Sequence, residues 1–300
     1  MRHLLDAAIA KRRPLSDERT DAFRLVDGDG DGLPGIELEA FAGRWLVSTR
    51  DARISPELLE VFHKTGHSVY HKRLDQQQKE SPVLLSGPEQ LEPFIALENG
   101  ARFEISFQSG YSQGIFLDQR DNRRTLRERM QPGMTLLNTF AYTGAFSVVA
   151  ALGGAETTTL DLSQPYLDWA KRNFTLNDVD PATQYFCKGD TFHWLRRFAK
   201  QGRRFDAIVL DPPTFSRDKD GKVFRVEKDY GRLVELAAAC LSKDGLILAC
   251  TNCRQLDERA FETQVRRSLP RPIKIESAPM PFDFTGEAYL KSLWIEAGGR

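Results

Sequence analysis

Three short apolar runs, each ending in a polar or acidic residue, constrain the fold of this chain more than any other feature. The first, residues 135–137, leads into Asn138-Thr139-Phe140-Ala141-Tyr142-Thr143-Gly144 and then into the apolar stretch 145–152. Its glycine falls where backbone has to approach a ligand closely. The second run ends in Asp161, where a carboxylate can accept hydrogen bonds from a ribose diol. The third, 205–210, ends in Asp211-Pro212-Pro213-Thr214-Phe215, whose prolines stop both the sheet ladder and any immediate helix. Short continuous apolar runs predict strands of a parallel sheet covered on both faces. Their polar ends would line the carboxyl edge, where open α/β sheets bind ligands.

Strand candidates at 135–137, 157–160, 184–187, 207–210 and 246–250 alternate with amphipathic helices near 145–152, 164–177, 192–200 and 229–241. Segments 273–277 and 290–297 could close the chain as a hairpin. The alternation predicts a doubly wound, mostly parallel, Rossmann-like α/β sheet over residues 106–300. Residues 1–105 read as a small, mainly β domain of α+β type, with substrate recognition as its expected role. Within it, 23–26 and 67–74 suggest strands, 36–50 alternates, 56–63 suggests a helix, and 72–90 is a polar connection. The run Asp27-Gly28-Asp29-Gly30-Asp31-Gly32-Leu33-Pro34-Gly35 lacks the glutamate that closes an EF-hand and is expected to be a hairpin turn, not a metal site.

With 41% hydrophobic residues, the chain can bury roughly three quarters of its unfolded surface, enough for one large and one small domain. Lys and Arg number 42, as do Asp and Glu, so any nucleic-acid contact must come from local patches. No apolar run approaches the ~20 residues that span a bilayer, and Met1-Arg2-His3-Leu4-Leu5-Asp6 is too quickly acidic for a signal peptide, so a cytoplasmic protein is expected. Cys187, Cys240, Cys250 and Cys253 have neither the count and spread of a disulfide framework nor the partners of a zinc site. No metal is expected.

A mononucleotide-type site needs close backbone approach after one strand, an acid after the next and a polar group after the third. Gly144, Asp161 and Asp190 supply these in order. NAD enzymes share the arrangement. Two features favour S-adenosylmethionine. The chain lacks G-x-G-x-x-G, whose second glycine makes room for a pyrophosphate. The Asp-Pro-Pro-Thr-Phe turn also places a carboxylate and rigid carbonyls beside an aromatic ring, which suits a flat base with its exocyclic amine.

Residues 20–300 resemble the bacterial large-subunit ribosomal RNA methyltransferases of the class I, S-adenosylmethionine-dependent superfamily, in particular the cytosine-5 enzymes and the guanine-N7 half of a bifunctional relative. The resemblance is carried by Thr20-Asp21-Ala22-Phe23-Arg24-Leu25-Val26 with Asp31 to Gly35, by Gly114-Ile115-Phe116-Leu117-Asp118-Gln119-Arg120-Asp121-Asn122-Arg123, by Asn138 to Gly144, and by Asp211 to Phe215. It implies a class I methyltransferase fold. It also implies that Phe116, Asp118, Gln119 and Arg120 close over the cofactor, with Arg120 or Arg123 available for its carboxylate. Asn138, Phe140, Tyr142, Thr143 and Gly144 would frame the methionine part, Asp161 and Leu162 the ribose side, and Asp190 the adenine amine. The N-terminal RNA-binding domain of the pseudouridine-synthase-associated type, usual in the cytosine-5 enzymes, is expected to be lacking.

The cytosine-5 enzymes place a nucleophilic cysteine where this chain has Asn252, with Cys253 one residue beyond, and the guanine-N7 relative has Asn there. Carbon 5 of cytosine is not nucleophilic until a thiolate adds to the ring. A ring nitrogen with a lone pair needs only positioning and electrostatic help. Methylation of a base nitrogen in ribosomal RNA is therefore preferred over cytosine C5. Asp211, Pro212, Asn252 and Cys253 are the catalytic candidates, and Asp211 also borders the cofactor. Pro213, Phe215, Arg217 and Lys219 are the substrate-binding candidates, at the start of a segment that also holds Lys222, Arg225 and Lys228 but is diluted by Asp218, Asp220 and Glu227. Other readings are a methyltransferase for a small molecule or protein, or a non-catalytic module binding S-adenosylmethionine or RNA. Either a monomer or a homodimer would fit.

Overall fold

The computed structural model describes residues 1–50, 54–74, 80–217, 223–269 and 273–297. The chain divides into two compact units, Met1–Arg120 with Pro281–Ala288, and Asp121–Met280 with Tyr289–Arg300.

In the first unit, α1 (Arg2–Arg12) precedes strands β1 (Ala22–Asp27), β2 (Ile36–Phe41) and β3 (Arg44–Thr49). Helix α2 (Pro56–Thr65) starts where the Ser55 hydroxyl accepts from the Leu58 N–H and Pro56 takes the first turn. It leads to β4 (Val69–Arg73) and β5 (Val83–Ser86), and these strands form one sheet in the order β1-β2-β3-β4-β5. Strands β6 (Phe94–Glu98) and β7 (Ala101–Ile105) form a separate antiparallel hairpin. The Asp/Gly run joins the antiparallel strands β1 and β2, as its turn residues predicted. Its Asp31 carboxylate accepts from the Arg12 guanidinium at 2.6 Å, and among the described residues no cluster of three His, Cys, Asp or Glu side chains could hold a metal.

The first unit extends past residue 105 because a segment from the other end of the chain is tied into it. Asp283, fully buried, accepts from both terminal nitrogens of Arg120 at 2.7 and 2.9 Å and from the Arg24 backbone N–H at 2.9 Å. The Asp283 carbonyl accepts from Arg12, and the Gly286 N–H donates to Asp27. Gly30 allows this closeness, since a Cβ there would lie 2.2 Å from the Thr285 backbone.

The second unit begins as α3 (Arg120–Arg129) leaves Arg120, and continues through β8 (Thr135–Thr139), α4 (Ala145–Leu152), β9 (Glu156–Asp161) and α5 (Gln164–Leu176). Then follow β10 (Tyr185–Lys188), α6 (Thr191–Lys200), β11 (Phe205–Leu210), the hairpin β12 (Phe215–Arg217) and β13 (Val223–Arg225), α7 (Val226–Ala238), β14 (Leu241–Thr251), α8 (Glu258–Arg267), β15 (Ile273–Ala278) and β16 (Lys291–Ala297). The sheet order is β10-β9-β8-β11-β14-β16-β15, parallel from β10 to β14, with β16 antiparallel to both its neighbours. Strands β8, β11 and the far half of β14 are buried nearly throughout, which explains the apolar runs at their centres. Strand β9 is an exception in composition: its threonines are buried, and their hydroxyls meet Gln184, Arg203 and Ser147.

Removing one partner of a buried, hydrogen-bonded ion pair costs about 3–5 kcal/mol, whereas replacing both with apolar groups can be neutral. Asp283→Ala is therefore expected to lower stability in a denaturant titration by about that amount, and the pair Arg120→Met with Asp283→Leu to recover most of it. A single variant as stable as the parent would show that the pair contributes nothing.

Candidate active site

The chain runs outward from β8 through β9 to β10 on one side, then returns to β11 and continues to β14 on the other. The loops after β8 and β11 therefore diverge, and a crevice opens at the carboxyl ends of these two strands. The loop after β8 carries Phe140, Tyr142 and Gly144 with φ of 53°, 50° and 77°. Two non-glycine residues in the left-handed region cost about 1–3 kcal/mol each and persist only where the surroundings over-determine them. Here the restraint is Asp161, whose carboxylate accepts from the Tyr142 N–H at 2.9 Å and from the Ser163 N–H at 2.8 Å. The helix after β9 does not need Asp161 as its cap, because the Ser163 hydroxyl takes that role for Tyr166.

Gly144 also has a packing reason within the fold. A Cβ at this position would lie 2.7 Å from the Cβ of Ala170 on α5, so the glycine allows the start of α4 to lie against a neighbouring helix. Asn138 is buried and donates to the Ser147 hydroxyl at 3.0 Å, so its amide ties β8 to α4. Thr143 is buried, with its carbonyl accepting from Asn173. Leu162 is exposed beside Asp161. Asp190 caps α6 by accepting from the His193 N–H at 2.8 Å.

The third strand end is held from behind. Tyr230, fully buried, donates its hydroxyl to the Leu210 carbonyl at 2.9 Å, and burial raises its pKa far above the usual phenol range, so it stays a donor. Beyond it Asp211 is half-buried, Pro212 buried and Pro213 exposed. Phe215 is 50% exposed, and the Arg225 guanidinium lies over its ring, 5.5 Å from the centroid. Arg217 belongs to β12, and Lys219 lies outside the described residues.

At the end of β14 the two candidates separate. Asn252 is exposed, and its amide oxygen accepts from the Thr214 hydroxyl at 2.7 Å. Cys253 has no exposed surface and belongs to the hydrophobic core. Thr214, which residue-type reasoning left out, was recoverable only as a neighbour of the Asp-Pro-Pro turn.

The remaining candidates lie at the start of α3. In the first unit, Phe116 is exposed, Asp118 and Gln119 form a 3-10 turn with Leu117, Gln119 is buried, and Arg120 is bound to Asp283. That ion pair ties the Arg120 guanidinium to the 281–288 segment within the first unit. In the second unit, Arg123 is buried with its guanidinium 5.8 Å from the Phe146 ring centroid on α4.

A model of the S-adenosylmethionine-dependent methyltransferase family matches residues 62–294, and the chain belongs to that family. It is 35% identical over 297 residues to YwbD of Bacillus subtilis, a candidate ribosomal RNA large subunit methyltransferase, covering 94% of this chain and 74% of that protein. Identity is 32% over 283 residues to ribosomal RNA large subunit methyltransferase K of Neisseria meningitidis serogroup B, covering 87% and 77%. Among solved structures, SMU.776, a candidate methyltransferase complexed with SAH, aligns with a TM-score of 0.91 at 31% identity, covering 98% of this chain and 80% of that one. The fold is that of a class I methyltransferase, and the cofactor is S-adenosylmethionine. The donor set fits it: a carboxylate steadied at a strand end beside an open crevice suits a ribose diol, and no pyrophosphate cradle is required.

Burial raises the Asp161 pKa, against the lowering effect of the Ser163, Tyr142 and Leu162 amides. The carboxylate should thus gain its proton at a higher pH than an exposed aspartate, and cofactor affinity should fall as pH drops through that raised value. Calorimetric titration of S-adenosylmethionine between neutral and acidic pH checks this, with Asp161→Asn expected to bind weakly and with a flatter pH profile.

Proposed function

We propose that this enzyme methylates a base of large-subunit ribosomal RNA at a ring nitrogen, such as guanine N7, and works in the cytoplasm. The observation that carries the choice of atom is the burial of Cys253 next to the exposed Asn252. Covalent addition to cytosine needs a thiolate within bonding reach of the base, and all four cysteines of the chain are buried. A ring nitrogen already has its lone pair. S-adenosylmethionine, when bound, supplies an electrophilic methyl group. The residues of the chain then have to hold and orient the base, with Asp211 accepting from an amine or ring N–H, Asn252 meeting the base edge, and Pro212 and Pro213 walling the pocket.

RNA as substrate is supported by the ribosomal RNA names of the relatives and by the hairpin after the proline turn. Phe215 and Arg225 are cross-strand partners and project to the same face, while Phe224 is buried between Phe140 and Phe192, at 6.3 and 5.8 Å between ring centroids. An exposed ring beside a guanidinium offers a stacking surface to a nucleotide and a charge to its phosphate. We assign the first unit to substrate recognition.

Nucleoside mass spectrometry of ribosomal RNA from a deletion strain should show the loss of one ring-nitrogen-methylated nucleoside, whereas loss of 5-methylcytidine would overturn the choice of atom. In the purified enzyme, Cys253→Ala should keep activity within a few-fold and Asn252→Ala should lose most of it.

Base stacking is worth about 1–3 kcal/mol, so Phe215→Ala should raise KM for RNA by about tenfold while the Kd for S-adenosylmethionine stays put. An unchanged KM would remove Phe215 from the substrate site.

A further inference from the structure

Strands β11 and β14 are parallel neighbours, with Leu210 opposite Ala249, so the residues that follow them emerge side by side at the same rim. There the Thr214 hydroxyl donates to the Asn252 amide oxygen at 2.7 Å, a bond between groups 38 positions apart in the chain. Both ends are fixed independently. The Thr214 carbonyl accepts from the Val226 N–H at 3.2 Å. On the other side the Cys253 N–H donates to the Thr251 hydroxyl at 3.1 Å and the Cys253 carbonyl accepts from Lys291 at 2.8 Å, so Asn252 is bracketed by two anchored residues.

An amide has one oxygen that accepts and one nitrogen that donates twice. The Thr214 hydroxyl takes one lone pair of that oxygen, while the NH2 group keeps both of its donors for a ligand. Among the described residues its Nδ2 has no hydrogen-bond partner, and the side chain is exposed. Asp211 on the adjacent strand end is by its chemistry an acceptor. A donor and an acceptor at one rim match a base that carries a carbonyl oxygen as well as an N–H.

We propose that Thr214 is a positioning residue that orients the Asn252 amide so that its NH2 group donates to a carbonyl oxygen of the target base, an inference that rests on the base methylation proposed above. Guanine, cytosine and uracil have such a carbonyl. Adenine has none and is excluded as the target. The hydroxyl selects the face of Asn252 that reads the base, and thereby contributes to specificity without touching the substrate.

The test compares Thr214→Val, Thr214→Ser, Asn252→Ala, Asn252→Asp and the Thr214→Val/Asn252→Ala pair in steady-state methylation of ribosomal RNA, with S-adenosylmethionine affinity and melting temperature measured alongside. A misplaced positioning group can cost up to about 100-fold, so Thr214→Val is expected to lower kcat/KM for RNA by roughly ten- to a hundredfold with cofactor affinity unchanged. Thr214→Ser should stay within a few-fold. Asn252→Asp keeps the contact to Thr214 but loses the donor, and should be as impaired as Asn252→Ala. Adding Thr214→Val to Asn252→Ala should cost nothing further, because the two act as a unit. Full activity in Thr214→Val, an independent additional loss in the pair, or a methylated adenine as product would overturn the inference. A separate readout is the pair of side-chain amide resonances of Asn252 in 15N-labelled protein, expected to be alike in the parent and Thr214→Ser and displaced in Thr214→Val. Should the parent transfer no methyl group to RNA, the proposed substrate falls, while unchanged resonances in Thr214→Val would sink the role of Thr214 itself.

Discussion

Parallel pairing of β8 with β9 on one side and β11 on the other is the constraint on which the second unit depends. Parallel strands send all their carboxyl ends to one edge, and reversal of the winding direction at β8 keeps the loops there from covering one another. The pairing requires both sheet faces to be roofed by helices, which is why β8, β11 and α4 are nearly all buried. The polar groups that do enter this layer are paired: Thr139 donates to the Val209 carbonyl, and Asn138, Ser147 and Thr159 form a closed set between strand and helix.

At the edge itself, hydrogen bonds from outside each loop hold the three strand ends. Asp161 reaches back to Tyr142, Tyr230 supports Leu210 from below, and Thr214 bridges to Asn252. A site built in this way begins with its donors and acceptors already placed, and binding need not order them. The left-handed residues Phe140 and Tyr142 belong to the same scheme, as local strain offset by the bonds that the loop makes with the neighbouring strand end. In the first unit, Arg12, Arg24 and Arg120 converge on Asp283 and bind a distant segment of chain where local propensity would have placed none.

Most of the parallel sheet was legible from its apolar runs, since a strand buried on both faces favours apolar residues and admits polar ones only where they are paired. The β5 strand was not, because its short run has no buried alternation to mark it, and the β6–β7 hairpin was overlooked although Ala101-Arg102-Phe103-Glu104-Ile105 alternates and is buried at every second residue. Among site residues, the positions of Asp161 and Asp211 at strand ends followed from where the runs stop. Gly144 has a packing role visible only in space, the approach of α5. Arg120 was read as a ligand for a carboxylate, and it does hold one, 163 residues away in its own chain.

Local pattern in the sequence was enough to determine the parallel α/β architecture, the edge where ligands bind and the order of residues along it, because periodicity and strand ends depend on near neighbours. The tertiary structure decided which of two adjacent side chains, Asn252 or Cys253, is exposed, and which hydroxyl the exposed amide meets. Those choices depend on the packing of strands brought together from distant positions, and a one-residue difference in which face is buried changes the chemistry that the rim can support.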